Sequence, residues 1–90
     1  KLAEDIRDVA MHYAELSERV LSAFWIELDA LLISITKNPR SHHFDSCGLR
    51  RANFHKFPYH LLYEVEDEVV FLLALRHDKR HPNHGIDRRP

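Results

Sequence analysis

Ninety residues, 44% of them hydrophobic and two of them glycine, suffice for one folded domain and exclude a disordered tail. No run reaches the roughly 18 uninterrupted apolar residues of a membrane span, and the opening KLAEDIRD lacks the apolar core of a secretory signal, so the chain is expected in the cytoplasm with no membrane partner. A net charge of −1 with histidine neutral excludes a general electrostatic affinity for nucleic acid and leaves a local cationic patch as the route to such a partner.

The charge is unevenly spread. Residues 1–36 carry three Lys/Arg against seven Asp/Glu (−4), whereas residues 37–90 carry ten against seven (+3). In the acidic half Leu2, Ile6, Val9, Ala10 and Tyr13 recur at helical spacing, with Glu4, Asp5, Arg7 and Asp8 on the other face. Ser17 is a candidate N-cap with Glu18 in the first turn behind it. The period then continues through Val20, Leu21, Phe24, Trp25, Leu28, Leu31, Leu32 and Ile35. Pro39 disfavours helical dihedrals at Asn38 and ends the run. Residues 1–36 are therefore predicted to form an antiparallel helix hairpin whose apolar stripe, Phe24 and Trp25 included, packs into a core.

SHHFDSCG has no period and reads as a loop, with Cys47 a partly buried thiol within it. A lone cysteine can supply neither an internal disulfide nor a cysteine metal cluster, and reduced surroundings suit it. His42 and His43 are adjacent, so in an extended segment their side chains diverge and share no metal.

From Leu49 the period changes from 3.6 to 2. LRRANFH, YHLLYEVE and VVFLLAL read as three strands, joined by a turn at KFPY and a tight acidic turn, EDE, centred on Asp67. Residues 49–77 are thus predicted to be an antiparallel β-meander and residues 78–90 a basic tail. The whole is one domain with an α+β fold, the N-terminal helix hairpin packed on one face of the three-stranded sheet.

Side-chain parity locates the other face. Tyr59, Leu61, Tyr63 and Val65 are set toward the helices, with Ala52 and Phe54 beside them, which leaves His60, Leu62, Glu64 and Glu66 pointing away. A turn centred on Asp67 places Ala74 beside His60, Leu72 beside Leu62 and Arg76 beside Pro58. The KFPY loop sets His55 opposite His60 and Arg51 opposite Glu64. Arg51, Asn53, His55, His60, Glu64 and Arg76 then share one polar face. On one reading it is a half-exposed sheet with an Arg51–Glu64 ion pair worth less than about 1 kcal/mol. On the other it is a site for phosphodiester cleavage. His60 or His55 supplies an acid or base near neutrality, and Arg51 and Arg76 the guanidinium donors for developing charge. Arg50, Lys56, Lys79 and Arg80 are the accompanying nucleic-acid contacts. His77, His81 and His84 have a spacing that suits a metal, but Lys79 and Arg80 lie between them and no carboxylate or cysteine completes a shell, so neither metal nor cofactor is expected.

FPYHLLYEVEDEVVFLLALRHDKRHP, preceded by LRRANFHK and by two helices beginning LAEDI and ending ITKNPR, resembles the RelE/ParE superfamily, the toxins of type II toxin-antitoxin modules, and in particular its plasmid stabilisation branch. The resemblance covers nearly the whole chain. It rests most on the FPY…Y.V hairpin and on RHDKRHP, similar to the H-x-R-R-x-P ending of that branch. It implies a toxin that arrests growth by ribosome-dependent cleavage of mRNA. The alternatives are a gyrase inhibitor and a catalytically inactive antitoxin-binding homologue. The implied partners are a cognate antitoxin and either the ribosome with its mRNA or DNA gyrase. Carried over by position, the nuclease branch's basic residues fall at Arg51, His60, Arg76, Lys79 and Arg80. That branch tends to have Arg at His60 and Lys at Asn53, and an aromatic after the last strand where this chain has PNHGID. Its members usually begin with a strand ahead of the first helix. Such a strand is not seen before Leu2, so the resemblance implies an open sheet edge and a homodimer or antitoxin complex formed across it.

Overall fold

The computed structural model describes residues 1–79, in the order α1 (Leu2–Leu16), α2 (Glu18–Lys37), β1 (Arg50–Asn53), β2 (Tyr59–Glu66) and β3 (Val69–His77). The two helices are separated by Ser17 alone. Its backbone is extended, its N–H closes α1 on the Tyr13 carbonyl, and its hydroxyl accepts from Arg19 and Val20 N–H at 3.0 and 3.2 Å. One residue thus ends one helix and caps the next. α2 stops at Lys37, with Asn38 as C-cap before Pro39. The Tyr63 hydroxyl, reaching from β2, donates to the Pro39 carbonyl at 2.6 Å and ties this corner to the sheet.

The strands form an antiparallel sheet in the order β1-β2-β3, which together with the helix hairpin is the predicted α+β architecture. Val9 and Tyr13 of α1 and Phe24, Leu28, Leu31 and Ile35 of α2 pack on Ala52, Phe54, Leu61, Tyr63 and Leu75. Aromatic rings fill the centre. Phe24 stacks on Phe54 at 5.4 Å with planes 2° apart and meets Phe57 edge-on at 5.7 Å. Each such side chain contributes about 1.5–3 kcal/mol on burial. Trp25, predicted to join them, does not: one residue along a helix turns the side chain by about 100°, and Trp25 is left 44% exposed with its ring centroid 5.5 Å from that of Phe24.

Acidic side chains of the helices serve the sheet. Asp5 accepts from the Leu75 N–H on the outer edge of β3 at 3.1 Å, and both Glu27 oxygens accept backbone N–H groups of the loop after β1, from His55 and Lys56. Free edge and loop donors are thereby satisfied by groups that composition presents only as negative charge.

The register departs from the parity argument in two places. The β2–β3 turn has two central residues, Asp67 and Glu68, both at positive φ (50° and 68°), so Glu66 pairs with Val69 and Tyr63 with Leu72. Leu72 and Val70 therefore pack toward the helices, where centring the turn on Asp67 had sent Leu72 outward. A bulge at Leu73 then inserts one residue, after which Leu62 pairs with Ala74 and His60 with Arg76. The two one-residue shifts cancel in parity, so Arg76 faces outward as predicted but lies beside His60 instead of Pro58. Between β1 and β2 the Phe54 N–H bonds to the Tyr59 carbonyl, making the loop His55–Pro58 and not KFPY. Arg51 consequently pairs with Leu62 instead of Glu64, and Asn53, not His55, faces His60.

Candidate functional site

Register and parity together put Asn53, His60 and Arg76 in one row across the outer face of the sheet, with Arg51 beside the row on β1. Of the predicted set these four are brought together. His55 is not: it lies exposed in the loop, beyond the end of β1. Glu64 is exposed nearer the turn, beside Phe71, and the expected Arg51–Glu64 pair does not form.

Arg51 instead uses its guanidinium on three sides. Its Nε donates to Asn53 Oδ1 at 2.8 Å, Nη1 to Asp45 at 3.0 Å and Nη2 to Asp78 at 3.4 Å. Asp45 comes from the SHHFDSCG segment, which folds back along β1. The Arg51 N–H bonds to the His43 carbonyl, Phe44 bridges Arg50, and Gly48 at φ 93° closes the turn on the Asp45 carbonyl. Burial works to raise the Asp45 pKa, but hydrogen bonds from Cys47 and the Arg51 guanidinium override it and hold the carboxyl at about 2. Cys47, expected to be a partly buried thiol, is exposed, and both its side chain and its backbone N–H, the latter 3.1 Å from Asp45 Oδ2, engage the carboxylate.

His60 is 1% exposed, although its face turns away from the helices. Its Nδ1 lies 2.8 Å from Asp78 Oδ1. An ionised carboxylate only accepts, so Nδ1 carries the proton and Nε2 is the basic nitrogen of the neutral ring. Burial pushes the His60 pKa below its ordinary value, against the opposing pull of Asp78. The imidazole is neutral at pH 7, and its Nδ1–H is occupied by the Asp78 carboxylate. An anion reaches that N–H only if the carboxylate moves.

The cationic residues divide into two groups. Arg51 is engaged as described, and Arg50 donates to the Arg40 and His42 carbonyls while lying 4.2 Å over the Phe44 ring. Arg76, half-buried, and the exposed Lys56 and Lys79 make no side-chain hydrogen bond or ion pair among the described residues. Arg80 lies outside the described residues, as do His81, His84 and the rest of the basic tail.

Asp45 and Asp78 are the residues that sequence reasoning missed. A signal was present for each. D-x-C-G has the form of an Asx turn, and a histidine set between apolar strand positions in PYHLLY requires a polar partner if it is buried. Among the described residues no helix is long and apolar enough to cross a membrane. Compared with protein-family models, curated proteins and solved structures, the chain matches none.

Proposed function

We propose that the chain is the toxin of a type II toxin-antitoxin module of the RelE/ParE kind, acting in the cytoplasm by ribosome-dependent cleavage of mRNA and neutralised by a cognate antitoxin. The observation that carries this reading is the row Asn53, His60 and Arg76 with Arg51 at its side, which gathers a histidine and two guanidinium groups on one sheet face. In this reading His60 Nε2 takes or returns the proton of the attacking 2′-hydroxyl or the leaving oxygen. Arg76, and Arg51 once an oxyanion competes for it, stabilise the charge that develops on phosphorus-bound oxygens. Lys79 and Lys56 supply contacts to the nucleic-acid backbone. The sheet edge offered to the antitoxin, or to a second copy, is that of β3 apart from the Leu75 N–H that Asp5 occupies, because residues 43–45 lie along β1.

The test is induced expression in bacteria with parallel read-outs of translation and DNA supercoiling. It compares the wild type with His60→Gln and Arg76→Ala variants whose folding is checked by thermal unfolding. Rapid loss of translation, abolished in both folded variants, is the expected result, and full toxicity in both would remove the sheet face from the mechanism.

A second reading, gyrase inhibition or antitoxin binding without catalysis, draws on the helix hairpin. Trp25, 44% exposed, lines an apolar groove of about 500 Å³ with Ile6, Ala10, Met11 and Leu21. Replication arrest with intact mRNA in the same experiment would select gyrase, and no arrest at all would select antitoxin binding alone.

A further inference from the structure

Arg51 holds two carboxylates, and they are not equivalent. Asp45 is 4% exposed and fixed by the Cys47 N–H as well as by the guanidinium, so it is a built-in counter-ion. Asp78 is 38% exposed and presents a single oxygen to both His60 Nδ1, at 2.8 Å, and Arg51 Nη2, at 3.4 Å. Its backbone is anchored separately, the N–H on the Pro58 carbonyl at 2.8 Å. A side-chain rotation therefore removes the carboxylate without disturbing the strand end. Since Asp45 already neutralises Arg51, Asp78 is the second anion on that guanidinium.

We propose that the Asp78 carboxylate occupies an oxyanion site, formed by His60 Nδ1–H and Arg51 Nη2 with Arg76 at its rim, and that a phosphate group displaces it. The site is closed in the free protein and opens when the incoming anion outcompetes the tethered one. A tetrahedral oxyanion offers separate oxygens to donors that now share one, and its charge exceeds or equals that of the carboxylate it replaces. Arg76 and Lys79, without side-chain partners among the described residues, add attraction that Asp78 does not use. Displacement also frees the His60 Nδ1–H, which Asp78 otherwise occupies. The identification of the phosphate as part of an RNA backbone rests on the reading given above, whereas the oxyanion site itself does not.

The experiment titrates inorganic phosphate and, separately, a short single-stranded RNA into the 90-residue chain. Binding is followed by calorimetry and by the ring resonances of His60, in the wild type, in Asp78→Ala and in Asp78→Asn, which keeps the shape and an acceptor while losing the charge. Removing a competing carboxylate at hydrogen-bond distance is expected to tighten phosphate binding about tenfold in Asp78→Ala, with a smaller gain in Asp78→Asn. The His60 resonances should shift on binding, and the gain should fall when Arg76→Ala is added. Affinity unchanged or weakened in both folded Asp78 variants overturns the proposal, as does binding that leaves the His60 ring unmoved. A gain for inorganic phosphate without one for RNA supports the oxyanion site and assigns it to free phosphate, in which case the nuclease reading fails on its own.

Discussion

The two faces of the sheet bury polar side chains in opposite ways. On the helix side Tyr63 is fully buried and sends one hydroxyl to one carbonyl, that of Pro39, its ring lying among the apolar side chains of the core with the His42 ring edge-on at 6.1 Å. On the outer side His60 is equally buried but belongs to a chain of charges, Asp78, Arg51 and Asp45, drawn from three separate segments. The helix-facing layer is held by area and shape, which no anion in solution can contest. The outer layer is held by hydrogen bonds to ions, which another ion can replace. A fold of this size carries both because the first supplies its stability and leaves the second free to be exchangeable.

The largest effect should come from the apolar face. Phe24→Ala deletes a ring that stacks on Phe54, meets Phe57 edge-on and is wholly buried. A loss of about 3–5 kcal/mol is expected in chemical denaturation, comparable to much of the total stability of a domain with so small a core. A loss under about 1 kcal/mol would show that the aromatic cluster does not hold the hairpin to the sheet.

On the outer face the fixed carboxylate should matter less. Asp45→Ala removes an acceptor from both the Cys47 N–H and Arg51, for an expected loss of about 1–3 kcal/mol. The pH dependence has a definite sign. With a folded pKa of about 2 against an ordinary 3.8, Asp45 binds its proton more weakly in the folded protein. Its contribution is therefore complete above pH 3.8 and disappears as pH falls through about 2. Denaturation of the wild type and the variant across that window should converge, and a difference that persists at pH 2 would assign the loss to the turn and not to the charge.

The contrast between the faces also explains what the sequence revealed. Helix limits, the Ser17 cap and the inward set Ala52, Phe54, Leu61 and Tyr63 follow from periodicity, since each depends on neighbours a few residues away. The outer site depends on contacts between segments, Arg51 to Asp45 across 6 residues, His60 to Asp78 across 18 and Arg51 to Asp78 across 27. Arg51 was legible as a cation on that face, but its partners Asp45 and Asp78 lie in segments without period, one in a loop and one past a strand end. Arg76 reached His60 only because the one-residue shifts from the two-residue turn and from the bulge at Leu73 add to two. Parity survives an even shift in register, and which residues touch does not.

That register is set at the turn, where the smallest of these effects is expected and where both faces are affected together. Glu68 sits at φ 68°, a conformation that costs a residue with a side chain about 1 kcal/mol or more, whereas glycine adopts it freely. Against this, glycine adds about 0.5–1 kcal/mol of backbone entropy to the unfolded chain. Glu68→Gly should therefore raise stability by about 0.5 kcal/mol. Asp67→Gly, at φ 50°, should gain less, because aspartate tolerates the left-handed region better than glutamate. Both substitutions leave the hydrogen-bonded strands on either side untouched, so neither should alter phosphate binding at His60 and Arg51. If Asp67→Gly stabilises more than Glu68→Gly, the strain of the turn lies at its first position, and the pairing of Glu66 with Val69 that carries the register to both faces is held from there.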